Sequence, residues 1–242
     1  MRCCVRSGAD NGSCPAQGLL TMLKRRYKAE LIDDFSIQDE RIDLALRELK
    51  LVNTFLGGKA TTAEGFRILR KRACAFRMLK VLDVGSGGAD VFGNNTENLS
   101  ITALDRNPRT CAYIEQHSPF IAICGDAQRL PFEPKSFDVV HASLFLHHFS
   151  EKEMTNLLRS FAEVSKLGII VNDLRRSILA LAGLKILTMI FSKSSIVKND
   201  APLSVLRGFS KSELQSVLSD CGFKHFVIKR TWAFRWLVVI VL

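Results

Sequence analysis

The stretch VLDVGSGGAD, Val81 to Asp90, together with the following ITALDRN, constrains this chain most. A run of strand-forming residues that breaks into glycines reads as a strand entering a tight turn. A second short apolar strand then ends on a carboxylate, Asp105, about 20 residues after Gly85. In a parallel sheet the glycine turn lets a ligand approach the backbone. An acid at the tip of the next strand can hydrogen-bond ribose hydroxyls. The pair implies a nucleoside-containing cofactor at the carboxyl ends of the strands.

From Lys80 onward the pattern alternates short apolar strands with helices. Strands are predicted at 80–84, 100–105, 120–124, 137–143 and 168–172, with helices at 107–116, after Ser150 and, as a turn or two, at 88–93. Ser150 with Glu153, and Ser210 with Glu213, have capping-box spacing, each at the start of a helix. The last residues, FKHFVIKRTWAFRWLVVIVL, read as two strands with a turn near Trp232 and Ala233. The fold class is α/β: a doubly wound, mostly parallel seven-stranded Rossmann-like sheet with an antiparallel C-terminal strand.

Residues 1–16 read as a disordered leader, with an alternative start at Met22. Residues 17–78 read as a helical cap with helices at 17–34, 38–56 and 62–78, and 79–242 as the catalytic domain. Within that domain 176–208 reads as a lid: an apolar helix, 177–191, and a loop to about 208.

The apolar helix is shorter than the ~18 residues a membrane span needs and carries Lys185. The N-terminus lacks the apolar core of a signal peptide. No C-x-x-C pair occurs among the seven cysteines, so reduced thiols of a cytoplasmic protein are expected and no metal site is predicted. The net charge of +10 favours anionic partners, including peripheral contact with an anionic membrane. The basic runs lack interleaved aromatic residues, which counts against nucleic acid.

The glycine loop departs from G-x-G-x-x-G, since Asp90 stands where the third glycine would fall. An acid there opposes a bound phosphate. S-adenosylmethionine (SAM), cationic and free of phosphate, fits better, with Asp83 facing its positive charge.

The motifs VLDVGSGGAD, ITALDRNP, CGDAQRLPF, FDVVHASLFLHHF and VNDLRRS together resemble the class I SAM-dependent methyltransferases, in particular the small-molecule group that includes ubiquinone and menaquinone biosynthesis enzymes. The flanking ELIDD, PLSVLRGF and RTWAFRW segments resemble a bacterial subgroup found beside polyketide-synthase genes, and so imply secondary metabolism. The resemblance puts Asp83, Gly85, Ser86 and Gly87 around the methionine moiety and Asp105 on the ribose with Arg106 beside it. It puts Asp126 and Ala127 at the adenine, and Ser143 or Leu144 beneath the cofactor.

His147 and His148 follow the fourth strand at the catalytic edge. Either could deprotonate a phenol or enol, or instead pack against the cofactor or cap the next helix. Asp173 is a second base candidate or an orienting group, and Arg175 with Arg176 would suit an anionic substrate or a surface. The hydrophobic lid points to a lipophilic or aromatic acceptor, polyketide- or quinone-like, methylated on O or C. Two alternatives stand beside this reading: an RNA methyltransferase, and an interaction protein on the same fold without turnover.

Overall fold

Residue alternation in the strands explains the architecture of the computed structural model, which describes residues 24–73, 78–93 and 96–242. The strands are β1 (Leu79–Val84), β2 (Leu99–Asp105), β3 (Ile121–Cys124), β4 (Phe137–Ser143), β5 (Ser165–Leu174), β6 (Phe226–Thr231) and β7 (Arg235–Val241). The helices are α1 (Glu40–Phe55), α2 (Gly58–Ala73), α3 (Pro108–His117), α4 (Glu151–Val164), α5 (Ile178–Phe191), α6 (Ser195–Arg207) and α7 (Lys211–Asp220). Leu82, Val84, Val140, Ala142, Val238 and Ile240 point to one face, where they meet Met154, Leu157 and Phe161 of α4 and Leu214 of α7. Their neighbours Val81, Val139, Leu237 and Val239 point to the other, against Phe66 and Leu69 of α2. Period-two patterning buried on both faces is what a helix-covered sheet requires.

The seven strands run in the order β3-β2-β1-β4-β5-β7-β6. β1 to β5 are parallel, and β7 is antiparallel to both β5 and β6. The winding reverses between β1 and β4, and ligands bind beyond the carboxyl ends of strands at such a switch point. The expected fold class is therefore observed. Both capping boxes form: Ser150 N–H donates to Glu153 Oε2 at 2.8 Å and Ser210 N–H to Glu213 Oε2 at 2.7 Å.

Four expectations need correction. The described part of the predicted helix 17–34 is an extended strap with one 3-10 turn, Leu31–Asp33. Its Leu31 and Ile32 amides donate to the Asp200 carboxylate at 2.8 and 2.9 Å, so a distant side chain sets its course. Residues 88–93 form turns without a helix, and Asp90 is held by Asn53 Nδ2 at 3.1 Å. The third cap helix begins at Gly58, ahead of the predicted 62, and its described part is Gly58–Ala73, with Met78, the predicted end, outside it. The expected loop before 208 is instead α6, capped by Ser194 and helical through Pro202. The predicted leader and the first residues of the cap lie outside the described residues.

α1 joins the domain through Ile42, Ala45 and Leu46, which pack with Tyr113 of α3 and Ile196 and Val197 of α6. Among the described residues no helix is long and apolar enough to cross a membrane. Cys111 is buried, Cys124 exposed and Cys221 half-buried, all three as free thiols.

Candidate active site

A cavity of about 430 Å³ opens at the switch point, within the ~300–1,000 Å³ of small-molecule pockets. Asp83, Gly85, Ser86 and Gly87 after β1, Asp105 and Arg106 after β2, Asp126 and Ala127 after β3, and Leu144 after β4 all line it. The structure thus brings every predicted cofactor residue to one wall.

Local chemistry fixes each of them. Gly85 has φ +62°, and a Cβ there would collide with the Phe145 ring. The Gly87 amide donates to Asp105 Oδ2 at 3.0 Å, and the Asn107 amide donates to Asp105 Oδ1 at 3.0 Å. Burial pushes the Asp105 carboxyl up to about 6 despite these two amides. Asp126 accepts the Gln128 amide at 2.9 Å, and Arg106 lies 3.8 Å from its other oxygen. Leu144 sits at φ +52°, a conformation a leucine rarely adopts, with its amide bonded to the Asn172 carbonyl at 2.9 Å.

Asp83 is buried, and its Oδ1 lies 2.7 Å from His141 Nδ1. A polar chain continues behind it. His141 Nε2 meets Thr62 Oγ1 at 3.0 Å, Asn172 donates to Thr62 at 3.1 Å, and the buried Arg235 donates to Asn172 at 3.1 Å and Asn53 at 3.0 Å. Asn53 holds Asp90, so one network from Arg235 supports both acids flanking the glycine loop. Asp83 Oδ2 and Ser143 Oγ remain buried without partners, and both residues line the cavity. An orphaned carboxylate oxygen beside a bare glycine turn suits a cationic ligand with donor groups, which is what SAM presents.

The two histidines separate. His147 and Asp173 are buried and do not line the cavity; His147 Nδ1 lies 2.7 Å from Asp173 Oδ1 and its Nε2 3.4 Å from Glu30 Oε1. Burial alone would lower the pKa of His147, but the charge and hydrogen bond of Asp173, with Glu30, push it up to about 9. His147 already carries its proton near neutral pH, and neither it nor Asp173 reaches the cavity where a substrate would sit, so both residues lose their expected place as bases. His148 does line the cavity, with Nδ1 2.7 Å from Asp33 Oδ1. The backbone carbonyls of the pair are clamped: Arg207 donates to His147 O at 3.0 Å and His148 O at 2.6 Å.

Glu30, Asp33 and Arg207 were not predicted as site residues. The ELIDD run, acidic inside a basic segment, was the one available signal. Burial acts to raise the Glu30 carboxyl, yet the hydrogen bond and charge of His147 hold it below the usual range. Glu30, His147 and His148 bring donor atoms of metal-ligating type within 4.8 Å of one another. The Arg207 guanidinium, 3.7 Å from Glu30 Oε1, and the His147 proton already supply the positive charge there.

Arg175 and Arg176 do not line the cavity either. Arg176 binds the Gly208 carbonyl and Glu213, and Arg175 lies over the Phe234 ring. No α5 residue lines the cavity, so the covering role expected of that helix falls to the strap and α1.

Residues 81–168 match the family described as methyltransferase domain. The chain is 26% identical over 170 residues to a demethylmenaquinone methyltransferase of Chlorobaculum tepidum, covering 64% of this chain and 69% of that one. Among solved structures it resembles a plantazolicin methyltransferase, BpumL, in complex with a triazolic desmethylPZN analogue and S-adenosylhomocysteine (SAH), at TM-score 0.64 and 13% identity, over 86% of this chain and 92% of the other. It also resembles a SAM-dependent methyltransferase from Aquifex aeolicus, at TM-score 0.52 and 14% identity, over 73% and 88%.

Proposed function

We propose that this SAM-dependent methyltransferase methylates an O or C atom of a lipophilic or aromatic small molecule of polyketide or quinone type. SAM, when bound, supplies a methyl group whose bond to sulfur breaks as the acceptor's bond to carbon forms. Asp83 holds the positive charge of the cofactor, Gly85, Ser86 and Gly87 leave room for its methionine part, and Asp105 with Arg106 beside it takes the ribose. Asp126 and Ala127 would border the adenine, and Ser143 or Leu144 would lie beneath the cofactor.

His148 is the base. Its ring borders the cavity together with Ile32, Phe35, Leu46, Leu49, Phe145 and Phe149, and Asp33 at Nδ1 stabilises the imidazolium formed when it takes the acceptor's proton. That arrangement, a histidine and carboxylate on a mostly apolar wall, is the observation that carries the reading. Burying apolar surface contributes about 25 cal/mol per Å², which rewards a lipophilic acceptor and gives a ribose-phosphate chain little. Arg207 positions the His148 backbone through its carbonyl and itself borders the cavity, while His147, Asp173 and Glu30 support that turn without lining the cavity.

Incubation with methyl-labelled SAM and separate panels of phenols, polyketides, quinols and RNA tests the reading, with Asp105→Ala as the cofactor control. Label on a lipophilic acceptor that is lost in the variant supports it. Label on RNA alone overturns it, as does absence of saturable SAH binding.

A further inference from the structure

The surface outside the cavity carries an unusual apolar edge. In α5, Leu179, Ile186, Met189, Ile190 and Phe191 are each between 59% and 74% exposed, and Thr188 is the only buried residue of the helix. Soluble chains scatter such residues singly; a contiguous set marks a contact surface. The set extends beyond α5. Glu48 of α1 accepts the amides of Lys193 and Ser194 at 2.7 and 3.1 Å, pinning the end of α5 to α1. Leu51 and Phe55, also exposed, follow Glu48 at helical spacing on the same side. Two residues later Trp232 of the β6–β7 turn closes over Gly57, its Cδ1 3.2 Å from where a Cβ would stand, with its side chain largely exposed.

Charge selects the occupant. From Ser177 to Asn199 the chain has three basic residues, Lys185, Lys193 and Lys198, and no acidic one. Lys185 and Lys193 are exposed among the apolar side chains. A 14-residue helix is too short to span a bilayer but long enough to lie within its surface layer. Aromatic side chains at the border, Phe55, Phe191 and Trp232, suit the headgroup boundary.

We propose that α5, with the adjoining edge of α1 and the Trp232 turn, docks the enzyme peripherally on an anionic lipid bilayer. The docking does not rest on the acceptor assignment. It would place the strap and α1, which wall the cavity, beside the phase in which a lipophilic molecule dissolves.

Flotation of the full chain with phosphatidylcholine vesicles, with and without phosphatidylglycerol, tests this. Wild type is expected to float with the anionic vesicles. Ile186→Ser/Met189→Ser/Phe191→Ser is expected to remain in solution with SAH affinity unchanged, which shows that it is folded. Lys185→Glu/Lys193→Glu is expected to partition at least about tenfold more weakly. The proposal is overturned if wild type floats with neither vesicle, or if the triple variant floats as wild type does. It is also overturned if the apolar edge proves to hold a second copy, shown by a dimer that the triple variant converts to monomer with no vesicle binding by wild type.

Discussion

Asp33 Oδ1 lies 2.7 Å from Nδ1 of His148, tying a carboxylate of the N-terminal strap to the one histidine of the pair that borders the cavity. Burial works to raise the Asp33 carboxyl, but the hydrogen bond and charge of His148 hold it below the ordinary value, so it is ionised across the working range. Asp33→Asn keeps the shape and removes the charge that stabilises the imidazolium. Steady-state kinetics should show kcat falling about 10- to 100-fold, part of the ~10²–10⁴ that a positioned base supplies. SAH affinity, read by calorimetry, should stay the same.

Asp105 titrates unusually high, at about 6, because burial disfavours its charge. Ribose hydroxyls donate to the ionised carboxylate better than to the acid. SAH affinity should therefore rise as pH is raised from 5 through about 6 and then level off. Asp105→Asn should flatten that profile and weaken binding at pH 7.5 by roughly 10- to 100-fold, the scale of a lost hydrogen bond to a charged group.

His147 has its folded pKa raised to about 9 from the ordinary 6.5. Its stabilisation is fully present below pH 6.5 and is lost as pH rises through about 9, amounting to about 3 kcal/mol at most. Its partners Glu30 and Asp173 have lowered pKa values and act in the opposite sense, losing their contribution only in acid. The Tm should fall between pH 6.5 and 9.5 in wild type. In His147→Gln it should start lower and fall less over that window.

Glycine substitutions separate the loop from the surface. Gly85→Ala forces a methyl group into the Phe145 ring at a left-handed φ and should weaken SAH binding at least about tenfold. Gly183→Ala, in α5 with nothing within 4 Å of the new Cβ, should leave binding alone and stabilise by up to about 1 kcal/mol.

Where local signals act alone, sequence and structure agree. β1, β2, β4 and the two capping boxes depend on patterns a few residues long, and the residues expected at the cofactor meet in one cavity because the glycine turn and the acids sit at strand ends. The strap was not legible, because Asp200, 169 residues from Leu31 in the chain, dictates its path. α6 was hidden by Pro202, which normally ends a helix yet here lies within one. Hydrophobicity placed α5 over the cavity, whereas it packs on α6 with most of its apolar side chains outward. Nor could the order of residues separate His147 from His148. They share one 3-10 turn, and only the arrival of Glu30 and Asp33 from the strap decides which ring is enclosed and which borders the cavity.

Methyl transfer from labelled SAM to the best lipophilic phenol, compared between wild type and His148→Gln at saturating cofactor, tests the central claim most directly. The account predicts that the variant binds SAH as wild type does while its kcat is about 10²- to 10⁴-fold lower. A variant that transfers at the wild-type rate would contradict it.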